Sequence, residues 1–339
     1  MEYLYICHTY YQVYIAIISA LNDTDNRYTL CISECSTKFF DLKEKICREN
    51  IFKEVLQLNE KHPTLLAPNT FYKRSEGNAV NRILTRIKYT KEIIKNIEKD
   101  VNIDFSKYDE IFLCNDSDPI GFYFWKHKIK YTLVEDSFNL YQRETRYGDL
   151  RGDFLKRFLF KLGLIYIPNG YAKNAIKIEV NENKNLIDVP LKKVYELSRE
   201  KLLNGLSQEQ KQSLIRIFRG DNIINDDKSK QKKKMLLITQ CLYPIDVPTL
   251  ERECEIYRRI VDEYIDDYQI YLKPHPRDLL NYEEYFKECI ILKQYYPIEI
   301  LNLINDFEFD LVLTIFSTAI DTVTIAKEKK ILGKDYIYK

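Results

Sequence analysis

Residues 268–278 read YQIYLKPHPRD. Tyr268 to Leu272 is a short run of aromatic and aliphatic side chains, which predicts a strand. Lys273-Pro274-His275-Pro276-Arg277 follows at once. His275 is therefore expected at a strand's carboxyl end, between two prolines that hold the backbone. A rigid imidazole flanked by Lys273 and Arg277 suits a ligand that carries phosphate. The plainer reading is a proline-rich turn with an incidental histidine, and His62-Pro63 elsewhere in the chain shows how little the dipeptide alone means.

The elements around this segment alternate. Upstream, Met235 to Ile238 predicts a strand, and Leu250, Cys254, Tyr257, Val261 and Tyr264 recur at the spacing of one helix face. Downstream, Cys289 to Leu292 predicts a strand, and Pro297 opens a helix carrying Leu301 and Ile304. Leu311 to Ile315 is a further strand and Ser317 to Ala326 a helix. The first half shows the same rhythm. Strands are expected at Tyr3–Cys7, Tyr28–Ser33, Phe52–Leu56, Glu110–Cys114 and Tyr131–Val134, and helices at Gln12–Leu21, Phe39–Cys47 and Val80–Ile97. This pattern predicts an α/β protein with mostly parallel sheets. Residues 207–234, with the polar run GDNIINDDKSKQKKKM, predict a linker between a domain at 1–206 and another at 235–339. A long loop within one domain is the alternative. Ligands in such sheets bind beyond the carboxyl ends of the strands.

Composition narrows the function. The chain has 339 residues, 45% hydrophobic and 30% charged, with a formal net charge of +1. That length and apolar content suit two globular domains. The balanced charge lacks the basic field that nucleic-acid binding needs, so no such partner is expected. Most of the eight cysteines sit in apolar runs and read as small buried hydrophobes, reduced in the cytoplasm. Cys31 and Cys35 lack the flanking ligands of a zinc site. The opening MEYLYICHTYYQVYIAIISA has neither a basic n-region nor a cleavage site, and no run approaches a membrane span. A cytoplasmic protein is expected.

Several polar residues lie at predicted strand ends. Ser317 and Thr318 stand between a strand and a helix, where helix-start N–H groups and two hydroxyls suit an anion; ordinary capping by Ser317 explains them equally. Glu299 falls in the first turn after Pro297, a place a carboxylate favours anyway, and it also suits a ribose diol. Asp246 follows the strand ending at Ile238, and Glu135-Asp136 follows the strand ending at Val134; an exposed acidic turn is the plainer account of each. Asn115-Asp116-Ser117-Asp118 contains a DSD triplet, which keeps a metal-dependent nucleotide-sugar transferase in view. His8, Thr9, Tyr11 and Gln12 lie where a strand turns into a helix, as donor or acceptor contacts or as a cap and core. The basic, apolar segment 151–164 suits peripheral contact with an anionic membrane surface, against the plainer reading of a core-facing helix with a solvated basic edge.

Taken together, Glu135-Asp136-Ser137, His275-Pro276 and Ser317-Thr318 occur in the order of three motifs of the bacterial sialyltransferases: an acidic pair with glycine, an HP pair and a Ser-Ser/Thr pair. Ser137 departs from that pattern, since glycine stands there in the family. The opening ICHTYYQVYIA and the stretches TQCLYP and YLKPHPR make the chain resemble glycosyltransferase family 52, the lipooligosaccharide and capsule sialyltransferase group. The resemblance is strongest from Met235 onward. It implies a GT-B arrangement, two Rossmann-like domains with mostly parallel sheets facing a central cleft. It implies an inverting transfer of sialic acid from CMP-sialic acid to a glycan acceptor, with no metal or other cofactor. His275 would assist departure of CMP, Ser317 and Thr318 would hold the phosphate with Arg277 nearby, Glu299 the ribose, and the backbone at Lys273 and Pro274 the cytosine. Thr9 and Gln12 would line the first domain's mouth. Asp246 is the favoured base, ahead of Asp136 and then Glu135. A UDP-sugar transferase and a non-catalytic glycan-binding protein are the rival readings. Peripheral contact with the inner face of the membrane and a homodimer stand among the expected associations.

Overall fold

A computed structural model describes residues 1–338 except 36, 74–76, 136–153, 185, 187–188, 219–231, 293–294 and 305–306. The chain divides into two compact units, Met1–Gln210 and Lys211–Lys339.

Unit 1 runs β1 (Glu2–Cys7), α1 (Tyr10–Asn22), β2 (Arg27–Ser33), α2 (Leu42–Arg48), β3 (Glu54–Leu58), α3 (Pro63–Leu66), α4 (Ala79–Ile97), β4 (Glu110–Leu113), α5 (Pro119–His127), β5 (Tyr131–Val134), α6 (Phe154–Lys161), β6 (Ala175–Val180), β7 (Val194–Glu196) and α7 (Arg199–Gly205). The described strands form one parallel sheet in the order β3-β2-β1-β4-β5-β6-β7. The inner strands read as continuous apolar runs because both faces are covered. Leu4 and Ile6 of β1 meet Ile120 and Phe124 of α5 within one core. Tyr5 turns to the other face and stacks on Phe112, ring centroids 4.4 Å apart.

Unit 2 contains most of α8 (Gln208–Phe218), then β8 (Lys233–Ile238), α9 (Leu250–Tyr264), β9 (Tyr268–Lys273), α10 (Tyr282–Tyr285), β10 (Ile290–Ile291), β11 (Phe309–Thr314), α11 (Ala319–Thr322) and β12 (Ala326–Ile331). Its sheet is parallel in the order β10-β9-β8-β11-β12. Ile256, Tyr257, Ile260 and Val261 of α9 pack on Met235, Leu237, Ile270 and Leu272. Each fully buried aliphatic side chain there contributes about 1.5–3 kcal/mol.

In both units consecutive strands run outward in one direction from a founding strand, β1 or β8, and the chain then returns to its other side. The order therefore reverses between β1 and β4 in unit 1, and between β8 and β11 in unit 2. A crevice beyond the carboxyl ends of such strands is where open α/β sheets take ligands.

Three sequence expectations are corrected. Residues 317–326 do not form one helix: α11 is a single turn, and β12 begins at Ala326. Four β-branched or branch-like positions in succession, Thr322-Val323-Thr324-Ile325, oppose helix and feed a strand. Pro297 opens a short 3-10 segment, Ile298–Leu303, rather than an α-helix. The expected linker 207–234 starts with α8. The segment 151–164 holds α6, in which Leu159 is buried while Phe154, Leu155 and Phe158 are exposed. Among the described residues no helix is long and apolar enough to cross a membrane.

Gly121 locks the loop after β4 onto α5. A Cβ at this position would lie 2.1 Å from the Asp116 carbonyl oxygen, a backbone atom that cannot swing aside. Gly121→Ala should therefore destabilise unit 1 by about 1–3 kcal/mol, an overpacking penalty. A thermal melt of that variant matching the wild type would show that the loop yields instead.

Candidate active site and its two polar clusters

In unit 2, register places the last residues of three strands in one row: Ile238 pairs with Lys273 on one side and with Thr314 on the other. The loops that follow carry the sequence candidates. They are tied to each other by side chains. The Thr239 hydroxyl accepts from the His275 backbone N–H at 3.1 Å, Gln240 Oε1 accepts from the Phe316 N–H at 2.9 Å, and the Thr314 hydroxyl donates to the Ile238 carbonyl at 2.9 Å. Since β9 and β11 flank β8, His275 and Ser317 leave strands about 10 Å apart, two strand spacings.

His275 is half-buried. Its Nδ1 accepts a hydrogen bond from the Arg277 backbone N–H at 3.2 Å. In the neutral ring the proton therefore resides on Nε2. Burial, then the charges of Arg277 and Lys273, push the imidazole down to about 4. Lys273 is buried, its Nζ 3.2 Å from the Pro274 carbonyl and 4.4 Å from the Tyr296 ring centroid. Burial lowers its ammonium to about 7 against the pull of Glu299. Burial raises the carboxyl of Glu299, and Lys273 opposes this. Lys273, Tyr296 and Glu299 thus gather beside the end of β9.

Ser317 Oγ accepts from the Ala319 N–H at 3.3 Å, a local turn bond that needs no ligand; the N-cap of α11 is Thr318, which makes no side-chain cap bond, so the expected capping by Ser317 is corrected. With a single turn, α11 is too short to present a helix dipole to an anion at Ser317 and Thr318, which offer only their hydroxyls and their position. Asp246 lies in the turn that contains the cis Tyr243–Pro244 bond and pairs with Lys334 at 2.9 Å. Glu135 directly follows β5, buried, its N–H donating to the Glu179 carbonyl. Asp136 lies outside the described residues.

Sequence reasoning missed the pair beneath these loops. Glu253 of α9 is fully buried and accepts from the Leu242 and Tyr243 N–H groups, each at 3.1 Å. Asp278 accepts from the Leu280 N–H and from the Tyr282 hydroxyl at 2.6 Å. The two carboxyls are also hydrogen-bonded to each other, and burial followed by the charge of Asp278 raises Glu253 to about 7. Through these backbone bonds the two carboxyls tie down the loops after β8 and β9. The available signal was a glutamate on the buried face of α9, one turn before Tyr257.

A second cluster occupies the carboxyl edge of unit 1. His8 follows β1 and is 1% exposed. Its Nε2 lies 2.9 Å from Glu60 Oε2 and 3.7 Å from Asp118 Oδ2. Glu60 also accepts from the Ser33 hydroxyl and from the Ile120 N–H, each at 2.6 Å. Burial works against the imidazolium, but the charges of Asp118 and Glu60 and the hydrogen bond to Glu60 outweigh it and raise the group to about 9. Gln12 is spent internally: Oε1 accepts from the His8 N–H at 2.6 Å and Nε2 donates to the Cys114 carbonyl at 3.2 Å. Thr9 caps α1 through the Gln12 N–H. Both residues have structural roles here. Asp116 is 1% exposed and accepts from the Asn169 and Gly170 N–H groups and the Tyr131 hydroxyl. The DSD triplet is therefore built into the fold at its first carboxylate. Among the described residues, no group of three or more His, Cys, Asp or Glu is arranged to hold a metal ion.

Two doubly wound parallel units in one chain, each with its polar loops beyond the switch strands, define the GT-B fold class. The chain belongs to glycosyltransferase family 52, whose sequence model matches residues 57–333. The match spans both units but starts after the ICHTYYQVYIA opening. An uncharacterized protein of Haemophilus influenzae is 28% identical over 200 residues, 57% of this chain and 58% of that protein. The aligned region thus spans less than two thirds of that relative's length. The α/β-galactoside α-2,3-sialyltransferase of Photobacterium phosphoreum superposes over 97% of this chain and 90% of its own, with a TM-score of 0.50 at 12% identity, a likeness of fold. The GT-B domain of a Photobacterium damselae sialyltransferase gives a TM-score of 0.49 at 15% identity, over 97% and 90% of the two chains.

The charge on His8 has a measurable consequence. Its folded pKa of about 9 exceeds the unfolded value near 6.5, so its stabilisation is complete below about pH 6.5 and fades as pH rises through about 9. Denaturant titrations should show stability falling across that window. His8→Gln should flatten the fall; an unchanged slope would mean that His8 is already neutral.

Proposed function

We propose that this chain is an inverting glycosyltransferase that moves sialic acid from CMP-sialic acid to a hydroxyl of a glycan, with no metal. Family membership supports a nucleotide-sugar donor and a glycan acceptor. The observation that carries the reading further is the placement of His275, whose Nδ1 accepts from the Arg277 N–H and leaves Nε2 to carry the proton of a neutral ring, on loops that leave one row of strand ends with Lys273 and Ser317. In this reading the bond from the sugar's anomeric carbon to the phosphate oxygen breaks, and its electron pair leaves with CMP. The developing charge on phosphate is met by Nε2–H of His275, by Arg277 and by the hydroxyls of Ser317 and Thr318, fixed donors that need little reorganisation. The acceptor oxygen attacks from the opposite face, and its proton goes to Asp246, which must loosen its pair with Lys334. Glu299 accepts from the ribose hydroxyls, and the backbone at Lys273 and Pro274 faces the base.

A phosphate beside His275 favours the imidazolium and offsets the burial that now suppresses it. Adding CMP should raise the NMR titration midpoint of His275 from about 4. A midpoint indifferent to CMP would put the nucleotide elsewhere.

Donor hydrolysis should release CMP from CMP-sialic acid and no UDP from UDP-sugars. His275→Ala should fold normally and lose about 100-fold or more of turnover; Asp246→Asn should lose transfer. UDP release would instead favour a different sugar donor. Turnover of neither donor class would favour a glycan-binding protein, and wild-type rates in His275→Ala would remove the histidine from the mechanism.

A further inference from the structure

The His8 cluster has features that core packing does not require. One imidazolium faces two carboxylates, Glu60 and Asp118, in a space that a few apolar side chains would fill at lower electrostatic cost. Glu60 is fully committed: it accepts from His8, Ser33 and Ile120 and so ties together loops and strands from β1, β2, β3 and α5. Asp118 also reaches solvent. Its side chain is 16% exposed, it holds the N-cap position of α5 without a side-chain cap bond, and it accepts from Asn115 Nδ2 at 2.8 Å. His8 follows β1 and Asp118 follows β4, so the pair stands at the reversal of strand order in unit 1, the ligand crevice of a doubly wound sheet. His8 Nδ1 is also buried with no hydrogen-bond partner among the described residues. The polar network around the ring is thus not closed by those residues alone.

Resting on the transferase reading above, we propose that Asp118, positioned by the His8–Glu60 pair, binds hydroxyl groups of the acceptor sugar at the β1/β4 edge of unit 1. A carboxylate accepts, so its ligand must donate. The imidazolium behind Asp118 and the positive end of α5 beneath it offset its charge, which disfavours a dication or an ammonium and suits a neutral polyol. Asn115 and Ser117, joined at 2.6 Å through the amide oxygen, shape the same loop. His8 is a positioning residue: it acts through Asp118 and touches no substrate.

The test uses the full chain and three glycans: lactose, N-acetyllactosamine and sialyllactose. Calorimetric titration should detect binding of at least one to the wild type and at least a tenfold loss in Asp118→Asn. In transfer assays Asp118→Asn should raise the acceptor KM at least tenfold and leave donor KM and acceptor-free CMP release unchanged. His8→Gln should raise acceptor KM less. The double variant should be no worse than Asp118→Asn alone, because coupled residues are not additive. Matching melting curves confirm that the variants fold. Equal glycan affinity in the wild type and Asp118→Asn, no binding by the wild type, or an equal rise in donor KM would each overturn the proposal. Absence of CMP release by the wild type would instead count against the donor assignment, and the calorimetric arm would still decide the Asp118 site.

Discussion

The parallel pairing of β8 with β9 on one side and β11 on the other is the constraint on which the candidate site depends. Register brings Lys273, Ile238 and Thr314 level across the sheet, so three loops far apart in sequence leave the same edge. Backbone N–H and carbonyl groups freed at that edge need partners. Thr239, Gln240 and Thr314 supply them, and in doing so join the loops to one another. The prolines around His275 then have a fixed frame to work against. The same logic holds at the edge of unit 1, where the Glu60 carboxylate takes up the Ile120 N–H at the start of α5 and the Ser33 hydroxyl at the end of β2.

The two histidines show how environment decides protonation. His275 is half-buried among cations, and both burial and the neighbouring charges act against its imidazolium. Both effects favour the neutral ring, and the Arg277 N–H bond to Nδ1 leaves its proton on Nε2. His8 is more deeply buried, yet two carboxylates keep it charged. Its role is one of position and field. The Glu253–Asp278 pair is a third case: burial raises both carboxyls, and the charge of Asp278 raises Glu253 further.

The edges of the sheets explain where reading from sequence failed. β12 reads AKEKKI, with four charged residues exposed along an outer strand. Charge along an edge discourages pairing with other chains, and it also removes the apolar run by which a strand is recognised. β7 has three residues and β6 mixes exposed lysine and isoleucine with buried positions. By contrast, the inner strands β1, β2, β8, β9 and β11 were legible because burial on both faces demands continuous apolar sequence.

The sequence by itself determined the α/β alternation, the inner strands, the amphipathic helices α4 and α9, and the rigid His275 at a strand end. These follow from local periodicity and from proline's fixed geometry, which neighbours along the chain carry in full. It also carried the family likeness that the match over residues 57–333 establishes. Only the tertiary structure decided that α11 stops after one turn, that Gln12 is consumed within the fold, that Glu253 takes up the Leu242 and Tyr243 N–H groups, and that His8 meets Glu60 from 52 residues away. Each of these depends on which loops a parallel sheet brings side by side and on how far burial removes a charge from water, and neither quantity is encoded in any short stretch of the chain.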